Sequence, residues 1–128
     1  MIDPRVSVRL ARPSRDLAAA ARFYTDGLGL SVLWQGTGAH DIVMLGWPQA
    51  SWHLELVGGA GVPEPAPTEE DLLVLYLDGP VDLQLVRRLE EAGGHRVEQG
   101  EYWDRWGVTV VDPDGYRLVL SERAWSNQ

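Results

Sequence analysis

The sequence predicts an α+β protein built from two βαβββ modules. Three observations carry that prediction. In each half of the 128-residue chain, segments of strand period surround one segment of helix period. A single shift of about 64 residues superimposes the two halves, strand on strand and helix on helix. One Gly- and Pro-rich stretch, residues 59–70, reads as a linker, so the modules are expected at 1–58 and 71–128. The length fits a single domain, made of both modules together and large enough to bury a sizeable core.

Residues 5–11 alternate apolar and polar, the period of a half-buried strand. Val6, Val8 and Leu10 share one face; Ser7, Arg9 and Ala11 share the other. Ser14 offers a helix N-cap, and the alanine-rich segment after it favours helix. Leu17, Ala21, Tyr24 and Leu28 recur at helical spacing, and Gly27 with Gly29 is expected to close the helix. Strand-like runs follow at about 30–35, 41–46 and 52–57, separated by Gly36-Thr37-Gly38 and Pro48-Gln49-Ala50-Ser51.

The second half repeats the order. Residues 72–77 form a nearly continuous apolar run, as in a strand buried on both faces. Gly79-Pro80 is expected to start a helix, with Leu85, Leu89 and Ala92 on its apolar side and Gly93-Gly94 at its end. Strands near 95–98, 107–112 and 116–122 complete the module, the last two joined by Asp112-Pro113-Asp114-Gly115. The shift that aligns the halves places Arg9 on Leu73, Ala21 on Leu85, Gly29 on Gly93 and Glu55 on Val119.

Composition excludes several functions. There is no cysteine, hence no disulfide, thiolate metal site or thiol nucleophile. No apolar run is long enough to cross a bilayer, so no membrane partner is expected. Met1-Ile2-Asp3-Pro4-Arg5 lacks the features of a signal peptide, and a cytoplasmic location is expected. A net charge of −8 argues against nucleic acid as a partner and is compatible with cationic small molecules, while also favouring solubility. No Gly-x-Ser-x-Gly elbow occurs, and Gly58-Gly59-Ala60-Gly61 does not lead into a phosphate-binding helix.

Three stretches carry a resemblance. Asp16-Leu17 through Arg22-Phe23-Tyr24 to Leu28-Gly29-Leu30, then His53-Leu54-Glu55-Leu56, then Asp112-Pro113-Asp114-Gly115-Tyr116-Arg117 resemble signatures of the vicinal oxygen chelate superfamily. That superfamily includes glyoxalase I, extradiol dioxygenases, fosfomycin-inactivating glutathione transferases and bleomycin-resistance proteins that only bind their drug. The segment Tyr102-Trp103-Asp104-Arg105-Trp106-Gly107 looks closest to small bacterial members of undefined function. The resemblance implies a curled mixed sheet forming a cup, with helices outside. Val6, Val8, Leu10, Leu54, Leu56, Leu118 and Leu120 should then face helices. Ser7, Arg9, His53, Glu55, Val57, Leu73, Leu75, Arg117 and Val119 should line the cup.

In metal-dependent members the ligands lie on the first and last strand of each module. The matching positions here are Arg9, Glu55, Leu73 and Val119, of which only Glu55 can bind a cation. His53 adds at most a second donor beside a guanidinium. No metal or other cofactor is therefore expected; Arg9 is expected to take the place of the ion and pair with Glu55, or to meet an anionic ligand group. Six tryptophans are a generous supply for stacking, although each is also an ordinary core residue. Trp103 and Trp106 lie in a loop-like stretch near the expected cup mouth, and Trp34 follows the first helix. The functional expectation is a metal-free protein that binds an aromatic or cationic small molecule, as in drug sequestration. The alternatives are a metal-dependent lyase, isomerase or dioxygenase, or a metal-free enzyme using His53 or Glu55 as base. The resemblance also implies a homodimer.

Overall fold

In the computed structural model, which describes all 128 residues, β1 (Val8–Pro13), α1 (Leu17–Arg22), β2 (Ser31–Gly36), β3 (Asp41–Gly46) and β4 (Trp52–Gly58) form the first unit. The second is β5 (Leu72–Tyr76), α2 (Leu83–Glu91), β6 (His95–Val97), α3 (Glu101–Trp106), β7 (Gly107–Val111) and β8 (Arg117–Ser121). Strand, helix and three strands thus occur twice. The addition is α3, where the sequence reads as loop.

Both main helices start on an aspartate rather than at the expected residue. The Asp16 carboxylate accepts from the Ala19 N–H at 3.1 Å, and Asp82 accepts from Gln84 N–H at 2.8 Å. The β1–β4 ladder runs on to Ser14, whose N–H bonds the Val57 carbonyl, so the chain turns into the helix only at Asp16 and the Ser14 hydroxyl makes no capping bond. Pro80 precedes α2 instead of opening it. At its far end α1 runs into a wider π turn, Phe23–Gly27, which places Gly27 inside the helix rather than at its stop. A Cβ on Gly27 would lie 2.9 Å from Leu89 Cδ2, so glycine there permits close approach to α2. The stop itself falls to Gly29, at φ +91°.

The strands form two four-stranded mixed sheets, in the orders β1-β4-β3-β2 and β5-β8-β7-β6, not closed into a barrel. Each first strand runs parallel to the last strand of its unit, and the other pairs are antiparallel. Leu54, Leu56, Leu118 and Leu120 are buried as their alternation requires, together with Phe23, Tyr24, Leu45, Leu89 and Val110. All belong to one cluster, in which α1 packs on β3 and β4, α2 packs on β6 and β7, and α2 meets the π turn. The helices cover the face of each sheet opposite the expected cup.

Register corrects two assignments. Leu73 stands beside Leu118 and Leu75 beside Leu120 on neighbouring parallel strands, so both pack against the core and not into a cup. The shift that matches β4 to β8 is one residue too long for β1 and β5, and one residue reverses the face. Val8 and Leu10 keep the expected face beside Trp52 and Leu54 yet stay 55% and 45% exposed, because β1 is an edge strand. Val6, just before β1, is also exposed.

A polar clasp joins the modules at one end. The Tyr24 hydroxyl donates to Asp112 Oδ2 at 2.6 Å, and the Arg15 N–H donates to Asp114 Oδ1 at 2.8 Å. The Asp-Pro-Asp-Gly turn thus reaches from the second module onto the first with both carboxylates.

Candidate functional site

The outward face of the first sheet follows from its register. Arg9 stands beside His53, Ala11 beside Glu55, and Met44 opposite Glu55, so these side chains share the face turned from the core. Arg9 Nε donates to His53 Nε2 at 3.1 Å, its Nη2 lies 3.5 Å from Met44 Sδ, and its Nη1 lies 3.6 Å from Glu55 Oε1. The Arg9 side chain is 49% exposed, whereas that of Glu55 is 14% exposed. One guanidinium therefore sits over a carboxylate and an imidazole. A bond from Arg9 Nε requires the His53 tautomer with its proton on Nδ1 and occupies the Nε2 lone pair.

Trp34 belongs to the same face, opposite Met44. Its indole lies flat over Gly36, where a Cβ would collide with the ring. A bulge at Leu33 breaks the pairing of β2 with β3 and puts Leu33 near His53, above Gly46. The face thus carries a polar centre flanked by Trp34, Leu33 and Met44. Leu33 and Met44 were not among the residues singled out by sequence; the pairing of β3 with β4 is the signal that finds Met44.

The equivalent face of the second sheet is covered. Thr109 pairs with Val119, and Val119 lies beside Val74, all turned from the core. Val119, Thr109 and Ser121 are nonetheless at most 1% exposed, because α3 packs on β7 and β8. Trp103 and Trp106 are half-buried in α3, and Tyr102 is exposed. The Arg123 guanidinium stacks on Trp106 at 5.0 Å, and Arg105 lies over the same ring at 5.4 Å. Gly107 ends the helix where a Cβ would run into the Leu120 carbonyl. Arg117 donates to Gln99 Oε1 at 2.8 Å and approaches Glu69 at 3.8 Å, tying the segment before α3 to the linker.

The structure therefore brings Arg9, Trp34, His53 and Glu55 onto one open face, and places Trp103, Trp106, Arg117 and Val119 at the covered face of the second sheet. It removes Leu73 and Leu75 from both. Clefts of about 250 to 560 Å³ lie elsewhere, and none of the five larger ones is lined by Arg9, His53 or Glu55. The largest runs between α1 and the β2–β3 hairpin, walled by Leu17, Ala21 and Val43.

The donor set does not fit a divalent cation. The space between Glu55 and His53 is approached by a positive charge bonded to one and close to the other. On the outward face of the second sheet Leu72, Val74 and Val119 have no donor atoms, Arg117 is cationic, and no His, Asp or Glu stands on β5 or β8. Nowhere in the chain do three His, Asp or Glu side chains converge as a metal site requires. No helix is long and apolar enough to cross a membrane.

Comparison with known proteins adds the relatives. Residues 8–57 match the family model described as the YycE-like N-terminal domain, and residues 70–122 match the YycE-like C-terminal domain. The chain is 39% identical over 120 residues to the uncharacterized protein YycE of Bacillus subtilis, covering 88% of this chain and 85% of that protein. The crystal structure of Bacillus subtilis YycE, a protein of unknown function, superimposes with a TM-score of 0.83 at 34% identity, over 96% of this chain and 93% of that one. Glyoxalase I of Leishmania major matches with a TM-score of 0.68 at 24% identity, over 88% and 83% of the two chains. TnmS3, an antibiotic-binding protein from a Streptomyces species, matches with a TM-score of 0.66 at 24% identity, over 97% and 99%. At these last identities the likeness is one of fold.

Proposed function

Because the chain belongs to the YycE-like family of the vicinal oxygen chelate superfamily, we propose that it is a metal-free binding protein for a small aromatic or cationic molecule. The observation that carries this reading is the position of Arg9, with its guanidinium 3.6 Å from Glu55 and bonded to His53. A cation is thereby supplied by the protein itself, and a ligand meets a neutralised polar centre beside the exposed indole of Trp34. Such a surface holds a planar ring by stacking on Trp34 and Arg9, and the acidic charge of the whole protein favours a cationic ring over an anionic one. The antibiotic-binding neighbour makes sequestration a function compatible with this fold. The catalytic alternatives draw less support. Metal-dependent chemistry needs donors that are absent, and His53 has its Nε2 lone pair engaged by Arg9.

The open face also supports a homodimer. A flat face closes around a ligand only when a second surface covers it. The edge strand β1 offers exposed Val8 and Leu10 for pairing with a second copy. The α3 surface of that copy, with Tyr102, Trp103 and Trp106, is the proposed cover.

Calorimetry with a planar aromatic cation such as acridine orange, beside the uncharged ring phenazine, tests the reading. Saturable binding without added metal is expected, weakened in Trp34→Ala, with the compound recovered unchanged. Conversion of the compound, or binding only in the presence of a divalent ion, would overturn it.

A further inference from the structure

Arg12 stands apart from the Arg9 face. It lies three residues further along β1 and points to the opposite side, where it is only 7% exposed. Its guanidinium lies over the Tyr116 ring, 4.5 Å from the centroid. Of the five N–H donors of a guanidinium, one is used, from Nη1 to the Tyr24 hydroxyl at 3.3 Å. No carboxylate forms an ion pair with it. Asp112 accepts from Tyr24, Asp114 N–H and Tyr116 N–H, and Asp71 accepts from Thr68 N–H, so these carboxylates balance the guanidinium's charge from a distance without bonding to it. The remaining N–H donors of Arg12 are left without a protein acceptor and are open to one from a ligand.

Arg12 lines a cleft of about 340 Å³ at the junction of the two modules, together with Tyr116, Leu10, Leu72, Glu70 and Asp71. Stacking on Tyr116 takes one flat face of the guanidinium and leaves its in-plane edge, the part that grips a carboxylate with two parallel bonds. Leu10 and Leu72 give the cleft an apolar wall. Glu70 and Asp71 contribute negative charge, which repels a doubly charged anion such as phosphate and attracts an ammonium group. Carboxylate, ammonium and a small apolar side chain are the groups of one class of molecule.

We propose that this cleft binds a free α-amino acid with an apolar side chain, its carboxylate on Arg12, its ammonium group toward Glu70 and Asp71, and its side chain against Leu10 and Leu72. The site is independent of the Arg9 face, so an amino acid acts beside the ligand of that face and not in its place.

Titration of the full chain with L-leucine, followed by amide NMR, tests this. Saturable shifts are expected at Ala11, Asp71 and Leu72. 4-Methylpentanoate, which is leucine without its ammonium group, should bind about tenfold more weakly, and isoamylamine and inorganic phosphate should not bind. Arg12→Lys keeps the charge but loses the fork and should abolish the shifts. Since Arg12 is buried and that variant can fail to fold, Glu70→Gln combined with Asp71→Asn at exposed positions serves as the second variant. It should weaken leucine to the level of 4-methylpentanoate and leave 4-methylpentanoate unchanged. No saturable shift with leucine, equal binding of leucine and 4-methylpentanoate in the unmodified chain, preference for phosphate, or a double variant that binds leucine normally would each overturn the proposal.

Discussion

Arg9 and Glu55 lie side by side on the open face of the first sheet, with Nη1 of one 3.6 Å from Oε1 of the other. The pairing arises from the fold, because parallel β1 and β4 put residues 9 and 53, and 11 and 55, in register. A guanidinium anchored at residue 9 therefore spans both the imidazole beside it and the carboxylate one step along. The same topology that could gather metal ligands here gathers a fixed positive charge with its counter-charge.

The pair should matter more for binding than for stability. Arg9 is half exposed, so Arg9→Ala is expected to lower unfolding free energy by no more than about 1 kcal/mol. Urea unfolding measures this. A loss above about 3 kcal/mol, the range for breaking a buried ion pair, would mean that Arg9 is chiefly structural.

Tyr24→Phe removes the hydroxyl that donates to Asp112 across the modules and should cost about 1.5–3 kcal/mol at neutral pH. Burial raises the Asp112 carboxyl above its ordinary range, while the Tyr24 hydroxyl opposes that rise by favouring the ionised form. Burial and the Asp112 charge also keep the Tyr24 phenol neutral well above its usual range, so it remains a donor through alkaline pH. With its folded pKa raised, Asp112 binds its proton more tightly in the native state. Its contribution to stability is therefore most favourable at acid pH and falls as pH rises through the folded pKa. The hydrogen bond from Tyr24 is strongest to the carboxylate. The difference between wild type and Tyr24→Phe should thus be largest above the folded pKa of Asp112 and shrink as pH falls below it. Urea midpoints across acid pH provide the check, and a difference that grows on acidification would contradict it.

Gly107→Ala should destabilise the second module by about 3 kcal/mol, because its Cβ meets the Leu120 backbone carbonyl rather than a side chain that can turn aside. Thermal unfolding measures the loss. Near-ultraviolet circular dichroism should report displaced Trp103 and Trp106 at the same time; an unchanged spectrum with unchanged stability would contradict the packing described.

Self-association should depend on the edge of β1. Val8→Lys with Leu10→Lys adds charge at two exposed positions and should convert a dimer to a monomer in sedimentation, with little change in monomer stability. A wild-type monomer at high concentration, or a dimer unaffected by the substitutions, would remove β1 from the interface.

Much of the fold was legible because alternation carries direction. Leu54 and Leu56 against His53 and Glu55 state which side of β4 is inside, and the structure agrees. The run Leu72 to Leu77 has no such alternation, so only the first module indicates its faces, and a one-residue difference in offset puts Leu73 and Leu75 on the core side instead. The helix starts fall elsewhere because several capping residues lie close together, and only the structure shows that strand pairing continues as far as Ser14. Apolar periodicity says that a face is buried but not against what. That both modules share one core through α1 and α2 was therefore not readable, nor was the covering of Val119 by α3. Arg12 gives no local signal: an arginine on an edge strand looks solvent-exposed until the turn carrying Asp112 and Tyr116 closes over it.

The central claim is that a guanidinium stands where a metal ion would otherwise be held. Equilibrium dialysis of purified protein against nickel or zinc, followed by elemental analysis, tests it most directly. The unmodified chain should retain no stoichiometric ion, whereas Arg9→His, which sets a third donor beside His53 and Glu55, should gain affinity for one. A stoichiometric ion in the unmodified chain that is lost in Glu55→Gln would contradict the account.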